Sequence, residues 1–176
     1  MESPLSLVAG GTGLVGSHVI KVLSKKPGTQ IILARSFESE IPQNAELQII
    51  NFDSLSSNKV QLENVIDHVY LCLGKKLSTH ELGYMQHNAR ESFKLIDFDY
   101  SLTIAKLAYD SGARSIALVS AVGAQEGSFN YYFHIKGKLE NEIRKIGYEN
   151  ICFARPGHLL GAREDFRGYE IPVLES

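Results

Sequence analysis

The sequence predicts an α/β fold, a doubly wound parallel sheet of strand order 3-2-1-4-5-6 with helices on both faces. Three observations predict it. Apolar runs of strand length alternate with helix-length segments along the whole chain. Several of these runs, such as Ile31-Ile32-Leu33 and Val69-Tyr70-Leu71-Cys72-Leu73, are continuously apolar, the pattern of strands buried on both faces. The first run passes straight into three glycines spaced three apart, Gly10, Gly13 and Gly16, and an amphipathic segment follows.

Taken in order, the first strand is Leu5–Ala9 and the first helix Gly13–Lys26. Gly10 and Gly13 lack side chains where the chain must bend sharply and approach a pyrophosphate, and Gly16 lets the helix lie close on its strand. Gly10, Thr12, Gly13, Leu14, Val15 and Gly16 are therefore the expected phosphate-binding turn, with the first helical amides and the positive end of the helix dipole facing the anion. The second strand, Gln30–Ala34, ends in Ala34-Arg35-Ser36, about twenty residues past the turn, where the adenosine ribose of a dinucleotide is met. A carboxylate there would accept both ribose hydroxyls of NAD, but none occurs before Glu38. Arg35 can clasp a 2′-phosphate and Ser36 can add a hydroxyl, so NADP(H) is favoured over NAD(H); the plain alternative is an exposed arginine at a strand end.

The third strand is Glu46–Asn51, and Asp53 just past it either reaches the adenine or caps a helix over Ser54–Asn64. The fourth, Val65–Leu73, brings Leu73 and Gly74 to the carboxyl edge beside the cofactor crevice. Lys75–Arg90 is polar and irregular and reads as a loop near the site, a lid. In the helix Ser92–Ser111, Leu95, Ile96, Tyr100, Ile104, Leu107 and Ala108 share one face, and Ser111-Gly112 supplies a stop. The fifth strand is Ser115–Ser120, the next helix Tyr131–Ile146, and the sixth strand Glu149–Ala154. Arg155-Pro156-Gly157 then either turns the chain over the nicotinamide or is a plain strand exit.

Bulk properties narrow the function. The 176 residues are 44% hydrophobic and 22% charged with a formal net charge of −2, ordinary for a globular domain. We expect one NAD(P)-binding domain over residues 1–176, its substrate side either shortened or continued beyond them, because only about twenty residues follow the sixth strand. No basic block suggests nucleic acid or an anionic membrane; Lys25-Lys26 and Lys75-Lys76 are isolated pairs. No apolar run approaches the length of a membrane span, and the first strand begins too early for a signal peptide. Cys72 and Cys152 read as small core residues in a reducing compartment, with the cytoplasm as the expected location. No metal site is expected: His80 and His87 lack a carboxylate at helical spacing, and His18 reads as a packed or surface residue.

Tyr132 and Lys136 form the only Tyr-x-x-x-Lys in the chain, at the start of a helix one turn apart on one face. A nearby ammonium favours the phenolate, so Lys136 is expected to lower the Tyr132 pKa and make it a proton donor to a carbonyl during hydride transfer. Ser120, at the end of the fifth strand, can hold the same carbonyl oxygen, while Lys136 also reaches the nicotinamide ribose. His134 points away from that face.

With these residues in place the chain resembles the short-chain dehydrogenase/reductase superfamily, and most of all its atypical members grouped with the Tat-interacting oxidoreductase. Gly10 to Gly16 resembles the family's Gly-Ala-Thr-Gly-x-x-Gly, and Phe93 to Tyr100 its Phe…Val-Asp-x-Asp-Tyr helix. Ser120 to Ala124 is similar to its Ser-Ser-x-Gly-Ala loop, Tyr132 to Gly137 to its Tyr-x-x-x-Lys-Gly, and Arg155 to Gly161 to its Arg-Pro-x-x-Leu-Leu-Gly; Glu164 to Arg167 resembles the charged tail that follows. The resemblance implies a Rossmann fold, NADPH binding and a Ser–Tyr–Lys site acting on a small carbonyl or alcohol, in a monomer or in a homodimer joined through the two long helices. Two departures stand out: the second serine of the family's pair is Ala121, and Lys75-Lys76 replaces small polar residues after Gly74. The rival reading is a protein that binds NADPH as a sensor without turnover. Nucleotide-sugar epimerase chemistry is disfavoured by the lack of a large C-terminal lobe.

Overall fold

The computed structural model describes residues 3–157, apart from 38, 58–61 and 63. The expected segments from His158 to Gly161 and from Glu164 to Arg167, like Glu38, lie outside the described residues. Among the described residues six strands form one sheet in the order β3-β2-β1-β4-β5-β6. They are β1 (Leu5–Ala9), β2 (Thr29–Ala34), β3 (Ala45–Ile49), β4 (His68–Leu71), β5 (Ser115–Val119) and β6 (Asn150–Ala154). Every pairing is parallel, with Val8 opposite Ile32 on one side and Tyr70 on the other. The predicted order and handling of the sheet are those observed.

Burial follows strand position. Val8, Ala9 and the run Ile31–Ala34 are buried on both faces of the central strands. The edge strand β6 instead alternates, and Cys152 is exposed rather than in the core, because no described helix covers that face of the edge. Cys72, half-buried at the end of β4, has its thiol pushed up to about 11 by burial, which leaves it an unreactive thiol at neutral pH.

The helices divide unequally between the faces. α1 (Leu14–Leu23) packs through Ile20 on Val8 and Ile32. The larger core lies on the other face, where Phe93, Ile104, Ala108, Leu139 and Ile143 meet Leu7, Leu33, Leu71 and Leu118. The expected helix after β3 is a short 3-10 helix, Phe52–Ser57, and the rest of the predicted segment falls largely outside the described residues. Lys75–Arg90 is not the bare loop expected: α2 (Thr79–Gly83) opens on a reciprocal cap between Ser78 and Glu81, and α3 (His87–Lys94) begins before Arg90.

The helical rod after β4 has an internal irregularity. α3 runs into a π-helical stretch, Leu95–Tyr100, which runs into α4 (Ser101–Asp110). A π turn holds an extra residue and rotates the faces on either side of it. Leu95, expected on the buried face, is 41% exposed, while Asp97 is only 2% exposed. The last helix, α5 (Tyr131–Ile146), matches its predicted bounds and is capped by Asn130, whose side chain accepts the amides of Tyr132 and Phe133.

Gly137 shows how tightly α5 is held. A Cβ there would stand 2.3 Å from the carbonyl carbon of Gln125 and 2.4 Å from the amide of Glu126. Alanine gains about 1 kcal/mol of helix propensity over glycine, but forcing backbone apart in a packed site costs about 1–3 kcal/mol. Gly137→Ala should therefore be net destabilising in urea unfolding, against the trend of exposed helix glycines.

Candidate active site

The strands all point their carboxyl ends at one edge, and the candidate residues gather there. Gly10 carries the sharp turn, with φ at +87°, and a Cβ on it would lie 2.6 Å from the carbonyl of Cys72. Gly13, the N-cap of α1, has an ordinary φ of −82°, so its small size serves close approach and not a left-handed conformation. At Gly16 a Cβ would meet the Gly10 carbonyl oxygen at 2.1 Å, so helix and turn touch as expected. The amides of Leu14, Val15 and Gly16 have no partner within the helix, and Thr12 is exposed beside them. A shallow glycine-lined cradle with free amides suits a diphosphate.

Arg35 and Ser36 are exposed at the end of β2, and among the described residues neither makes a hydrogen bond or ion pair. Asp53 does not cap the 3-10 helix; its own amide donates to Asn51 Oδ1 at 3.0 Å, so Asn51 is the cap. Asp53 instead accepts the hydroxyl of Tyr100. Burial and that bond push the Tyr100 phenol up to about 12, and Arg35 lies close enough to oppose the rise. Leu73 and Gly74 follow β4 along the crevice, with Leu73 against the Gly10 turn.

Tyr132 and Lys136 share one face of α5 as predicted, with Lys136 Nζ 5.9 Å from the Tyr132 ring centre. The Tyr132 hydroxyl has no hydrogen-bond partner among the described residues and is available to a ligand. Its titration is displaced opposite to expectation. Burial pushes the phenol up, Lys136 pulls it down less strongly, and Asp97 adds to the rise. Lys136 also has an anion of its own: its ammonium stands 2.8 Å from Asp97 Oδ1, with the two side chains 5% and 2% exposed. The other Asp97 oxygen accepts the amide of Lys75 at 2.7 Å. Lys136 Nζ also reaches the Val119 carbonyl at 3.5 Å, which leaves one of its three N–H groups for a ribose hydroxyl.

Ser120 is buried, and its hydroxyl donates at 2.6 Å to Glu140 Oε1. Glu140, one turn beyond Lys136 on the same face, also accepts both the Nε of Arg155, at 2.8 Å, and its Nη2, and lies 3.4 Å from Arg144. Ser120 has one O–H to give, so in this arrangement it is not directed at a substrate oxygen. With Ala121 beside it, neither position of the expected serine pair offers a free hydroxyl. His134 faces away, its ring nitrogen on the Glu126 carbonyl, and His18 is exposed with its ring on the Leu14 carbonyl. Among the described residues no group of three potential metal ligands occurs.

Asn130 ties the neighbouring segment to the site. Its side-chain oxygen caps α5 through Tyr132 and Phe133, while its nitrogen donates to the Leu82 and Gly83 carbonyls of α2 at 2.8 and 3.3 Å. Asp97, Tyr100, Asn130 and Glu140 carry these contacts; the sequence placed Tyr100 on the buried helix face and Asp97 within the family-like stretch Phe93 to Tyr100, but assigned none of the four a part in the site. For Glu140 a signal existed, since it continues the spacing of Tyr132 and Lys136 by four residues. For Asp97 helical spacing gave none, because the π turn changes which residues face inward.

A nucleotide turn, a Tyr–Lys helix and this strand order recur in a known family, and the family model described as NAD dependent epimerase/dehydratase matches residues 6–170. The chain belongs to the NAD dependent epimerase/dehydratase family. Among curated relatives, the mitochondrial protein FMP52 of Candida albicans is 30% identical over 167 residues, covering 93% of this chain and 70% of that protein. HTATIP2 of Rattus norvegicus is 25% identical over 172 residues, covering 95% and 67%. Solved structures share the fold: UDP-glucose 4-epimerase of Thermotoga maritima at TM-score 0.73 and 16% identity, covering 93% of this chain and 59% of that one. A short chain dehydrogenase of Leptospira borgpetersenii with bound NAD+ follows at TM-score 0.68 and 13% identity, covering 93% and 74%.

This NAD dependent epimerase/dehydratase family member is thus an NAD(P)-binding Rossmann protein, with a fold shared by solved short-chain dehydrogenases. The cytoplasmic expectation is corrected: the FMP52 relatives are named as mitochondrial proteins, which points to that organelle. Unpaired cysteines indicate only a reducing compartment and do not choose between two such compartments. No helix among the described residues is long and apolar enough to cross a membrane.

The Glu140 cluster makes a stability prediction. Burial pushes its carboxyl up, but the bonds from Arg155 and Ser120 and the charges of Arg155 and Arg144 outweigh this and hold it below its ordinary value of 4.5. A depressed folded-state pKa stabilises fully above the unfolded value and is lost as pH falls through the folded one. Glu140→Gln should cost about 1.5–3 kcal/mol at neutral pH, measured by urea unfolding. The gap between the variant and the wild type should close on acidification below pH 4.5.

Proposed function

We propose that the protein is an NADP(H)-dependent oxidoreductase that transfers a hydride between the nicotinamide and a small carbonyl or alcohol, with Tyr132 as the proton donor. The observation that carries this reading is the unpartnered Tyr132 hydroxyl, one helical turn from the buried Lys136 and at the sheet edge where the glycine turn also ends. Gly10, Thr12, Gly13, Leu14, Val15 and Gly16 would hold the diphosphate, Asp53 the adenine side, and Leu73 and Gly74 the crevice wall. Lys136 would add a bond to the nicotinamide ribose. When bound, the cofactor supplies or takes up the hydride; the chain's own part is to orient the carbonyl and move a proton at the Tyr132 oxygen.

The preference for NADP(H) rests on Arg35. Its guanidinium is unpaired among the described residues, and Ser36 is exposed beside it. A free fork of five donors matches a phosphate dianion better than a pair of hydroxyls. Arg35→Ala should weaken NADPH by about 1.5–3 kcal/mol and leave NADH nearly unchanged, read by calorimetry. Equal losses for both would remove the assignment.

One observation favours a second reading, a sensor that binds NADPH without turnover: Ser120 gives its hydroxyl to Glu140, and Ala121 offers none. The two readings separate at Tyr132. Tyr132→Phe removes a hydroxyl and almost no volume, so folding and NADPH affinity should persist. NADPH-dependent reduction of a responsive aldehyde, ketone or quinone should fall about 10²–10⁴-fold. A wild type that binds NADPH tightly and reduces none of the panel favours the sensor.

A further inference from the structure

The Lys136 ammonium and the Asp97 carboxylate are both withdrawn from water, 2.8 Å apart. Asp97 owes that position to the π turn, and its second oxygen is fixed by the Lys75 amide, so the carboxylate is held on two sides. A buried pair so close acts on its surroundings as a dipole, and a dipole's field falls off faster than that of a lone charge. Tyr132 therefore stands beside a lysine whose charge Asp97 offsets in part, in a setting where burial already favours the neutral phenol. We propose that Asp97 is a positioning residue that claims the Lys136 charge, so that Tyr132 stays the neutral acid and the site works in the protonation state that carbonyl reduction needs. The proposal rests on the reading of Tyr132 as the proton-transferring group.

The chemistry balances in that state. The carbonyl carbon accepts a hydride, two electrons and a proton, from the reduced nicotinamide. The C=O π pair moves onto oxygen, and the Tyr132 O–H bond breaks to give that oxygen its proton. The products are the alcohol, the oxidised dinucleotide and a tyrosinate that is reprotonated from water. Alcohol oxidation by the same groups needs the phenolate at the outset, and so rises only toward alkaline pH.

The remaining charges near Tyr132 do not supply what Asp97 removes. From the segment after β4, the Lys75 ammonium is held on Ser92 Oγ at 2.7 Å. From α3, Arg90 lies over the ring of Tyr131, not Tyr132, at 4.8 Å, and Lys94 pairs with Asp99. Phe93, the α3 residue that does pack on Tyr132, with ring centres 5.5 Å apart, is uncharged. On α5 itself, Glu140 is neutralised by Arg155 and Arg144.

The test reads the phenol directly and needs no substrate. Tyrosinate ultraviolet absorbance of the cofactor-free full chain is followed against pH, and the matched variant carrying Tyr132→Phe is subtracted to isolate one tyrosine among eight. Asp97→Asn keeps the shape and an acceptor for the Lys75 amide, and should move the Tyr132 titration down by about one pH unit or more. The alkaline limb of carbonyl reduction should move with it. A folded Asp97→Asn protein that titrates with the wild type overturns the proposal. Should that variant fail to fold, Asp97→Asn with Lys136→Met removes both charges. Agreement of the double variant with the wild type within about half a unit supports the proposal, and a titration well above the wild type overturns it, because Lys136 was then acting uncancelled. Failure of the underlying reading looks different: turnover unchanged in Tyr132→Phe, whatever the titration shows.

Discussion

All five ladders of the sheet run parallel, and that constraint orders everything else. A parallel pair cannot close with a hairpin, so each strand must hand the chain to a crossover that returns across a face. Every strand therefore ends on the same edge, and the segments that leave the strands meet there: the Gly10 turn, Arg35, Asp53, Gly74 and Ser120. Strand order reverses direction between β1 and β4, which opens the crevice at that point of the edge. Gly10 and Ser120, 110 positions apart, come to one edge because the sheet leaves them no other place, and α5 then lays Tyr132, Lys136 and Glu140 across the same edge.

Much of this was legible in the residues. Continuous apolar runs located the strands, and alternation with helices dictated parallel pairing. The glycine spacing announced the turn down to the contact between Gly16 and Gly10. What was not legible came from partner choice. Sequence places Tyr132 and Lys136 together but does not say that Lys136 has an anion of its own, nor that burial of the phenol outweighs the pull of Lys136 and raises the Tyr132 titration. Ser120 likewise stands where expected, with its hydroxyl turned to Glu140. Helical periodicity assumes an unbroken register, and the π turn at Leu95–Tyr100 violates it; Leu95 goes outward and Asp97 inward for that reason alone.

Two buried carboxylates flank the site, and their settings differ. Asp97 meets one ammonium and one amide in nearly complete burial, where removing either charge of such a pair typically costs about 3–5 kcal/mol. Glu140 is as buried, but its cation Arg155 is 45% exposed on its side chain and can rejoin water. The first pair is thus a commitment of the interior, and the second a hinge-like link between α5 and the chain leaving β6. Together they fix the helix that carries Tyr132 at two levels, one turn apart.

Asn130 ties a further segment into this arrangement. Its carboxamide is a rigid plane, with the oxygen holding the first amides of α5 and the nitrogen holding the last carbonyls of α2. Rotation of that plane disturbs both ends at once. A displacement of the end of α2 would therefore also disturb the first turn of α5, where Tyr132 sits. One carboxamide thus sets where α2 ends and where α5 begins, so the aim of the Tyr132 hydroxyl depends on a segment outside its own helix.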